Sequence, residues 1–588
     1  MRAATAAAVT LAGAGTAAAV AAPAGAAAPG AASASSAVAR QLDCGDAPAP
    51  GSSPSNLVGV GDLLFFTATD GTHGQGLWRS DGSTAGTVFL KKVGGGDGYD
   101  YDYGRTSMAG IADTLFFTTD AAKGKGQELW RSDGTRSGTV LVKAFPKADG
   151  GYYGNGLDSL TAVGDTLFFT VDDGDDSSLW RSDGTSSGTA LVKEVGSSAG
   201  DYDTGPGNMT AAGDTLFFTA EDDAHGQELW RSDGTAAGTA IVKDIRPGSY
   251  DSSVRNIVAD GDSVFFNARD GVHGRELWTS DGTEDGTALV ADLWPGSRGG
   301  NPSYLTVSGG ALFFSAAHDA DGTDLWRSDG TEAGTVIVKD LGSTDEDYYG
   351  VSGLTDVDGT LFFAAPDDDH GQELWRSDGT EAGTVLVKDI RPGDYDSSPY
   401  ELTSADGTLF FTARDGVHGR ELWRSDGTEG GTVLVKDVSP DANGYGYPAR
   451  LTAVGGTIFF AADDGVHGRE LWRSDGTEAG TAMVEDLNLG RGLVASSANA
   501  KNARTARVRV VVDIPGRLVV RSAGGSWVRR SAQNLDDVGG HTLTLKLTKS
   551  TTKKLRRTGK VRIGLRFAFT SCTGATSSAT KHYTLRLR

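Results

Sequence analysis

Nine copies of one unit, set at near-constant spacing, constrain this chain more than any other feature. The Trp of an LW pair recurs at Trp78, Trp130, Trp180, Trp230, Trp278, Trp326, Trp375, Trp423 and Trp472, with successive spacings of 52, 50, 50, 48, 48, 49, 48 and 49. An FF pair keeps step with it from Phe65-Phe66 to Phe459-Phe460, so all nine units are complete. Such a period marks a repeat architecture, in which each unit buries its apolar face only by packing against its neighbours. The 588 residues therefore need not divide into the several domains that length alone suggests.

The unit beginning at Leu402 reads LTSADGTLFFTARDGVHGRELWRSDGTEGGTVLVKDV. Its turn residues cut it into four short segments, LTSA, TLFFTA, ELWRS and TVLVKDV, separated by DG, DGVHG and DGTEGG. These breaks are hairpin chemistry, and Asp-Gly interrupts every stretch before a helix of three turns could form. TLFFTA is apolar without alternation, which suits a strand covered on both faces, whereas TVLVKDV alternates. Four antiparallel strands per unit make the blade of a β-propeller. We expect an all-β protein: a propeller of about nine four-stranded blades over residues 57–490, then a linker at 491–504 and a small β-sandwich at 505–588. Nine blades exceed the ~4 to 8 that are typical, so two arcs or an open array stay open as alternatives.

The units resemble the ELWxxDGT repeat family of exported bacterial proteins, also labelled hyalin-like. ELWRSDGT stands intact at Glu128, Glu228, Glu373, Glu421 and Glu470, and ELWTSDGT at Glu276. The departures, at Gly76, Ser178 and Asp324, change the residue before Leu and leave the Trp and the Asp-Gly turn in place. The resemblance implies a propeller-type fold and little about activity. The terminal segment, with VRVVVDIPGRLVV, HTLTLKLT, KVRIGLRFAFT and HYTLRLR, resembles the Ig-like sandwiches appended to exported actinobacterial proteins.

Met1 and Arg2 precede an Ala-rich apolar run that reads as a signal peptide over 1–28, followed by a flexible lead-in at 29–56. No later run is long enough for a transmembrane anchor, so the expected location is extracellular, either released or associated with the cell wall. Cys44 and Cys572, the only cysteines, are expected to form a disulfide in that compartment. Charge divides sharply. Residues 501–588 hold 20 Lys and Arg against 3 Asp and Glu, net +17, while the rest holds 34 against 74, net −40. The acidic array excludes nucleic acid as its partner. The basic segment, with Lys553, Lys554, Arg556, Arg557 and Lys560, could hold an anionic cell-wall polymer or simply be a solvated face.

Repetition favours structure, because catalysis needs one asymmetric place. The Asp of SDGT, at Asp81, Asp133, Asp183, Asp233, Asp281, Asp329, Asp378, Asp426 and Asp475, reads as a turn residue whose carboxylate caps the backbone. The histidines of the HG turns, such as His225, His273, His370 and His418, sit one per blade and do not converge on a metal.

The segments between units differ, and 14 of the 15 tyrosines fall in them. Tyr99, Tyr101, Tyr152, Tyr202, Tyr250, Tyr348, Tyr395 and Tyr445 are the candidate ligand-binding residues, since loops on rigid scaffolds carry binding and Tyr offers contact area at low entropic cost. The alternative is that each packs between blades. Asp345, Glu346 and Asp347, or Asp394 and Asp396, could bind calcium through hard oxygen ligands. No other cofactor is expected. The functional expectation is a non-enzymatic extracellular binding or adhesion scaffold whose Tyr/Asp face engages a polysaccharide or a surface protein. The alternatives are a glycan-active hydrolase or lyase, with the linker carrying Trp294, Arg298 and Asn301 as the odd one out, and a structural cell-surface protein.

Overall fold

In the computed structural model the described residues are 51–588 apart from 71–72, 94–105, 122–125, 147–155, 173–176, 197–204, 223, 319–322, 342–349, 368, 439–446, 466, 488–493, 503, 513–515, 536–538, 572–575 and 587–588. Each repeat folds into one four-stranded antiparallel sheet, giving nine blades whose strands pair in chain order. In blade 1 these strands are β1 (Ser55–Val60), β2 (Leu63–Thr69), β3 (Gln75–Ser80) and β4 (Val88–Lys92). The first strand of every blade touches the first strand of the next, and the first strand of blade 9 (Ala449–Val454) touches β1. First strands therefore line the axis, and the ring is closed.

The packing explains why the second segment is apolar throughout. The first Phe of one blade, with the Leu of its ELW and the Val of its fourth strand, meets the second Phe, the Ala and the Trp of the next blade. At the junction of blades 4 and 5 these are Phe217, Leu229 and Val242 against Phe266, Ala268 and Trp278. Alternate residues of TLFFTA thus face opposite neighbours. The same grouping closes the ring, with Phe459, Leu471 and Val484 of blade 9 against Leu64, Phe66, Ala68 and Trp78 of blade 1. Outer strands add a second tie: the Lys193 ammonium donates to Thr239 O at 2.8 Å and lies 5.4 Å from the Trp230 ring centroid.

Opposite this outer tie, the residue before Leu-Trp organises the linkers of blades 4 to 9. Glu373 is fully buried and takes four hydrogen bonds: from Arg391 N–H (3.3 Å) and Ser397 N–H (3.1 Å) on Oε1, and from Ile390 N–H (2.9 Å) and the Ser397 hydroxyl (2.6 Å) on Oε2. Glu276 does the same with Leu293 N–H and Gly300 N–H. At the closing junction Glu470 takes Ser52 N–H at 2.7 Å together with the Ser52 hydroxyl, and Ser52 is fully buried. The end of the segment expected to be a flexible lead-in is therefore built into the ring, because Gly51-Ser52 supplies blade 9 with the linker serine that Ser397 supplies to blade 7. No blade takes strands from both ends of the chain, so this clasp, the apolar junction and the Thr84 hydroxyl, which donates to Val484 O at 3.0 Å, hold the ring shut.

Burial pushes the carboxyls of Glu228, Glu276 and Glu373 up to about 7 and that of Glu470 up to about 8, against the donors, which pull the other way. The unfolded chain ionises these groups near ~4.3. Between those limits the folded state holds protons that the unfolded state has released, so stability falls as pH rises. Self-repulsion of the acidic array acts in the same direction. Calorimetry at constant ionic strength is expected to show an unfolding midpoint lower by about 5 °C or more at pH 8 than at pH 5, with the slope reduced in Glu373→Gln. A flat or rising profile would contradict this reading.

The C-terminal domain is a β-sandwich of a three-stranded and a four-stranded sheet over one core, which includes Val508, Leu518, Leu545, Ile563 and Phe567. It differs from expectation in two respects. The strand Val494–Asn502 pairs with Thr505–Val512, so the segment expected as linker belongs to the sandwich; its run of Ala, Ser and Asn carries no strand-like alternation to reveal it. A helix, α1 (Lys549–Thr558), is capped by Thr548, which accepts Thr551 N–H, and by Gly559 at φ 66°. Leu555 and Thr551 anchor it, while Lys553, Lys554, Arg556 and Arg557 are exposed. Among the described residues no helix is long and apolar enough to cross a membrane.

Candidate functional site

An up-and-down blade sends its linkers and its second-to-third-strand turns to one face, and its SDGT turns to the other. On the SDGT face each turn is a closed hydrogen-bonded unit. Asp378 Oδ1 accepts the Thr380 N–H at 2.9 Å and its hydroxyl at 2.7 Å, and Gly379 adopts φ 86°, where a side chain would be strained. Asp133, Asp233, Asp281, Asp426 and Asp475 are placed identically. These hydrogen bonds hold the carboxyls below the usual carboxylate range, as Asp378 and Asp475 illustrate.

On the linker face the HG-turn histidines are each paired locally, as His273 Nδ1 is with Asp270 at 2.7 Å and His418 Nδ1 with Asp415 at 2.6 Å. Tyr250 and Tyr395 are 63% and 62% exposed, so their rings are open to solvent on one side. Arg246 and Arg391 cover the other side at 4.9 and 4.8 Å. Neither tyrosine packs between blades. Tyr99, Tyr101, Tyr152, Tyr202, Tyr348 and Tyr445 lie outside the described residues, as do Asp345, Glu346, Asp347, Cys44 and Cys572. Asp396 caps the preceding blade, its Oδ1 accepting Gln372 N–H at 2.7 Å. Neither it nor Asp394 belongs to a cluster able to hold a metal, and among the described residues there is no such group. In the odd linker, Arg298 stacks on Trp294 at 5.4 Å and Asn301 N–H bonds to Arg275 O.

The asymmetric place lies at the axial rim of this face. Near its start the first strand of every blade but blade 2 carries a bulge, visible as a register shift such as that between Tyr400 and Thr403. The bulged residue sits in the left-handed region: Asn56, Ser159, Asn208, Asn256, Tyr304, Glu401 and Arg450 have φ of 50, 56, 47, 55, 54, 54 and 63°, and blade 7 uses Gly353. Bulges re-aim side chains, and left-handed backbone at residues as large as Tyr, Glu and Arg is maintained only where the surroundings enforce it. Outside blade 2 the repeat is uniform in backbone here and variable in chemistry.

Glu401 is the one carboxylate at these rim positions. Its Oε2 accepts Leu451 N–H from blade 9 at 2.9 Å. Two arginines shielded by burial share its field, Arg420 and Arg469, and that burial holds both guanidinium groups below their ordinary range. Arg420 donates to Ser398 O at 2.7 Å, Arg469 donates to Ala461 O at 2.9 Å, and the Tyr447 ring stacks 5.5 Å from Arg469. Tyr400 and Arg450 complete an exposed border. Such a set can transfer a proton beside a group that binds anions. Reading the copies one at a time conceals it; aligning the residue nine before each FF pair brings it out.

No protein-family model matches the chain, and no curated protein matches it. Solved structures similar to it include puromycin hydrolase (14% identity, 69% of this chain and 58% of that chain, TM-score 0.31). Another is the β-propeller domain of the Trilobed protease from Pyrococcus furiosus, with open velcro topology (14%, 57% and 96%, 0.31). A third is prolyl oligopeptidase B from Galerina marginata (11%, 65% and 56%, 0.34). The chain thus spans little more than half the length of the two whole enzymes. These neighbours are hydrolytic enzymes or a protease's propeller, which goes against the expectation of a non-enzymatic adhesion scaffold. At such identities the likeness shows the fold alone, and no residue role is carried over from it.

Proposed function

We propose that this protein is a carbohydrate-active enzyme, a hydrolase or lyase that cleaves glycosidic bonds at the rim of blades 8 and 9. The observation that carries the reading is Glu401: one carboxylate among nine equivalent rim positions, in left-handed backbone, with one oxygen anchored and two shielded arginines beside it. Oε2 is fixed by Leu451 N–H, and Oε1 is the atom that moves the proton. In hydrolysis it protonates the leaving oxygen or deprotonates the attacking water. In elimination it takes the proton from the carbon next to a sugar carboxylate, whose developing charge Arg420 and Arg469 stabilise; as the C=C bond forms and the C–O bond breaks, Oε1 returns that proton to the leaving oxygen. Tyr400 and Tyr447 supply faces for sugar rings.

Export and an N-terminal signal fit this reading, since polymeric substrates are met outside the cell. The exposed cations of α1 suit retention on an anionic wall polymer. The test is a turnover screen of neutral and acidic glycans, read by reducing ends and by the ultraviolet absorbance of a new C=C bond. Glu401→Gln is expected to lower the rate by about 100-fold or more with an unchanged unfolding midpoint, and Arg450→Ala to raise KM. Absence of cleavage across the panel, or cleavage by Glu401→Gln at the parent rate, rejects it.

A further inference from the structure

Across the second and third strands, the position four residues after the first Phe of the FF pair, at the linker-face end, differs from blade to blade. It holds Thr69 opposite Gln75 in blade 1, Asp120 opposite Gln127 in blade 2 and Glu221 opposite Gln227 in blade 4. In blade 9 it holds a complementary pair, Asp463 opposite Arg469. Blade 8 holds Arg414 opposite Arg420. In blade 5 the pairing ends at Ala268 opposite Glu276, and Arg269 and Arg275 follow just beyond it, near enough for Arg269 to act on the Arg275 guanidinium. Like charges directly opposite one another destabilise a sheet, a cost that blade 8 carries in its ladder, blade 5 carries in the repulsion among its neighbouring arginines, and blade 9 avoids with its own carboxylate.

Blade 5 carries the greater burden. Arg275 is 8% exposed, and its Nη1 donates to Ser253 O and, at 2.9 Å, to Asn267 Oδ1. Arg255 stands in register opposite Asn267, so a third cation borders the same place. Burial, then Arg269 and Arg255, push the Arg275 guanidinium down to about 10, with no acidic group acting against them. The adjacent Asp270 is occupied by His273. Among the described residues no carboxylate forms an ion pair with any of the three arginines. Arg420 at least shares the field of Glu401, and Arg275 has no counterpart to it.

We propose that the rim of blade 5 is an oxyanion site, in which Arg255, Arg269 and Arg275 bind a carboxylate carried by an acidic glycan. That group would take the place that the Asp463 carboxylate fills in blade 9. Arg275 supplies a buried, fixed donor set, and the exposed Arg255 and Arg269 close on the oxyanion from solvent. The inference needs no reaction at blade 8, and binding without turnover leaves it standing while it removes the proposed activity.

The experiment is calorimetric titration and thermal unfolding with three probes: a galacturonate trisaccharide, inorganic phosphate and the neutral galactose trisaccharide. It uses an Arg414→Gln background so that blade 8 contributes no arginine pair. The galacturonate trisaccharide is expected to bind and raise the midpoint, phosphate to do so more weakly, and the neutral sugar not at all. Arg269→Gln is expected to weaken binding at least tenfold. Arg269→Asp, which copies the arrangement of blade 9, is expected to raise the midpoint of the free protein and abolish the response. The proposal fails if the acidic trisaccharide does not bind, if phosphate alone binds, if the neutral sugar binds equally, or if Arg269→Asp binds as the background does.

Discussion

Glu373→Ala is expected to destabilise the ring by about 3–5 kcal/mol, the cost of leaving buried donors unpaired. Ile390, Arg391 and Ser397 each direct a backbone N–H at this carboxylate, and the Ser397 hydroxyl adds a fourth donor. Truncation leaves all four in a site closed to water, and the linker from blade 7 to blade 8 loses the group that orders it. Glu373→Gln is expected to cost less, since its carbonyl oxygen still accepts while its amide faces two donors. Denaturant unfolding with an unchanged m-value is the measurement. If Glu373→Ala unfolds within about 1 kcal/mol of the parent, the carboxylate is not the organiser of the linker.

The blade could be read from the chain because its information is local. TLFFTA and ELW carry their own periodicity, and the Asp-Gly turns mark their own ends. The role of the Glu before Leu-Trp was less accessible: its donors lie 17 to 24 residues further on, in the segments that vary most. Ser52 was less accessible still, for its partner Glu470 lies 418 residues away and only the closed ring brings them together. The rim site depends on a bulge, which moves one residue per blade without leaving a composition signal. The arginines of blade 5 escaped notice because Arg269 and Arg275 look like ordinary solvated charges until the hairpin brings them together just beyond its last pair. Helix α1 holds one buried aliphatic residue, Leu555, too little for a helical period to emerge.

Removal of residues 1–53 is expected to open the ring at one place. The clasp consists of Ser52 N–H and hydroxyl on Glu470, Ser53 N–H on Arg469 O, and Thr69 N–H on Ser52 O, and these four bonds disappear with the segment, together with the longer Thr69 hydroxyl bond to Ser52 O. At about 1 kcal/mol each, plus the penalty of a buried Glu470 with fewer donors, the loss is about 4–6 kcal/mol. It falls on the one junction whose two blades are joined by no peptide linker. Where neighbouring blades are covalently tied, a broken junction re-forms at high effective concentration; blades 1 and 9 lack that advantage. Hydrogen exchange should therefore rise first along β1 and the first strand of blade 9, with blades 4 and 5 unchanged, because cooperative opening in a repeat array spreads from its weakest interface. Removal of residues 1–49 retains the clasp and is expected to leave the midpoint unmoved. If both truncations unfold together, the apolar contact of Phe459 and Leu471 with Phe66 and Trp78 closes the ring unaided, and Ser52 is incidental to it.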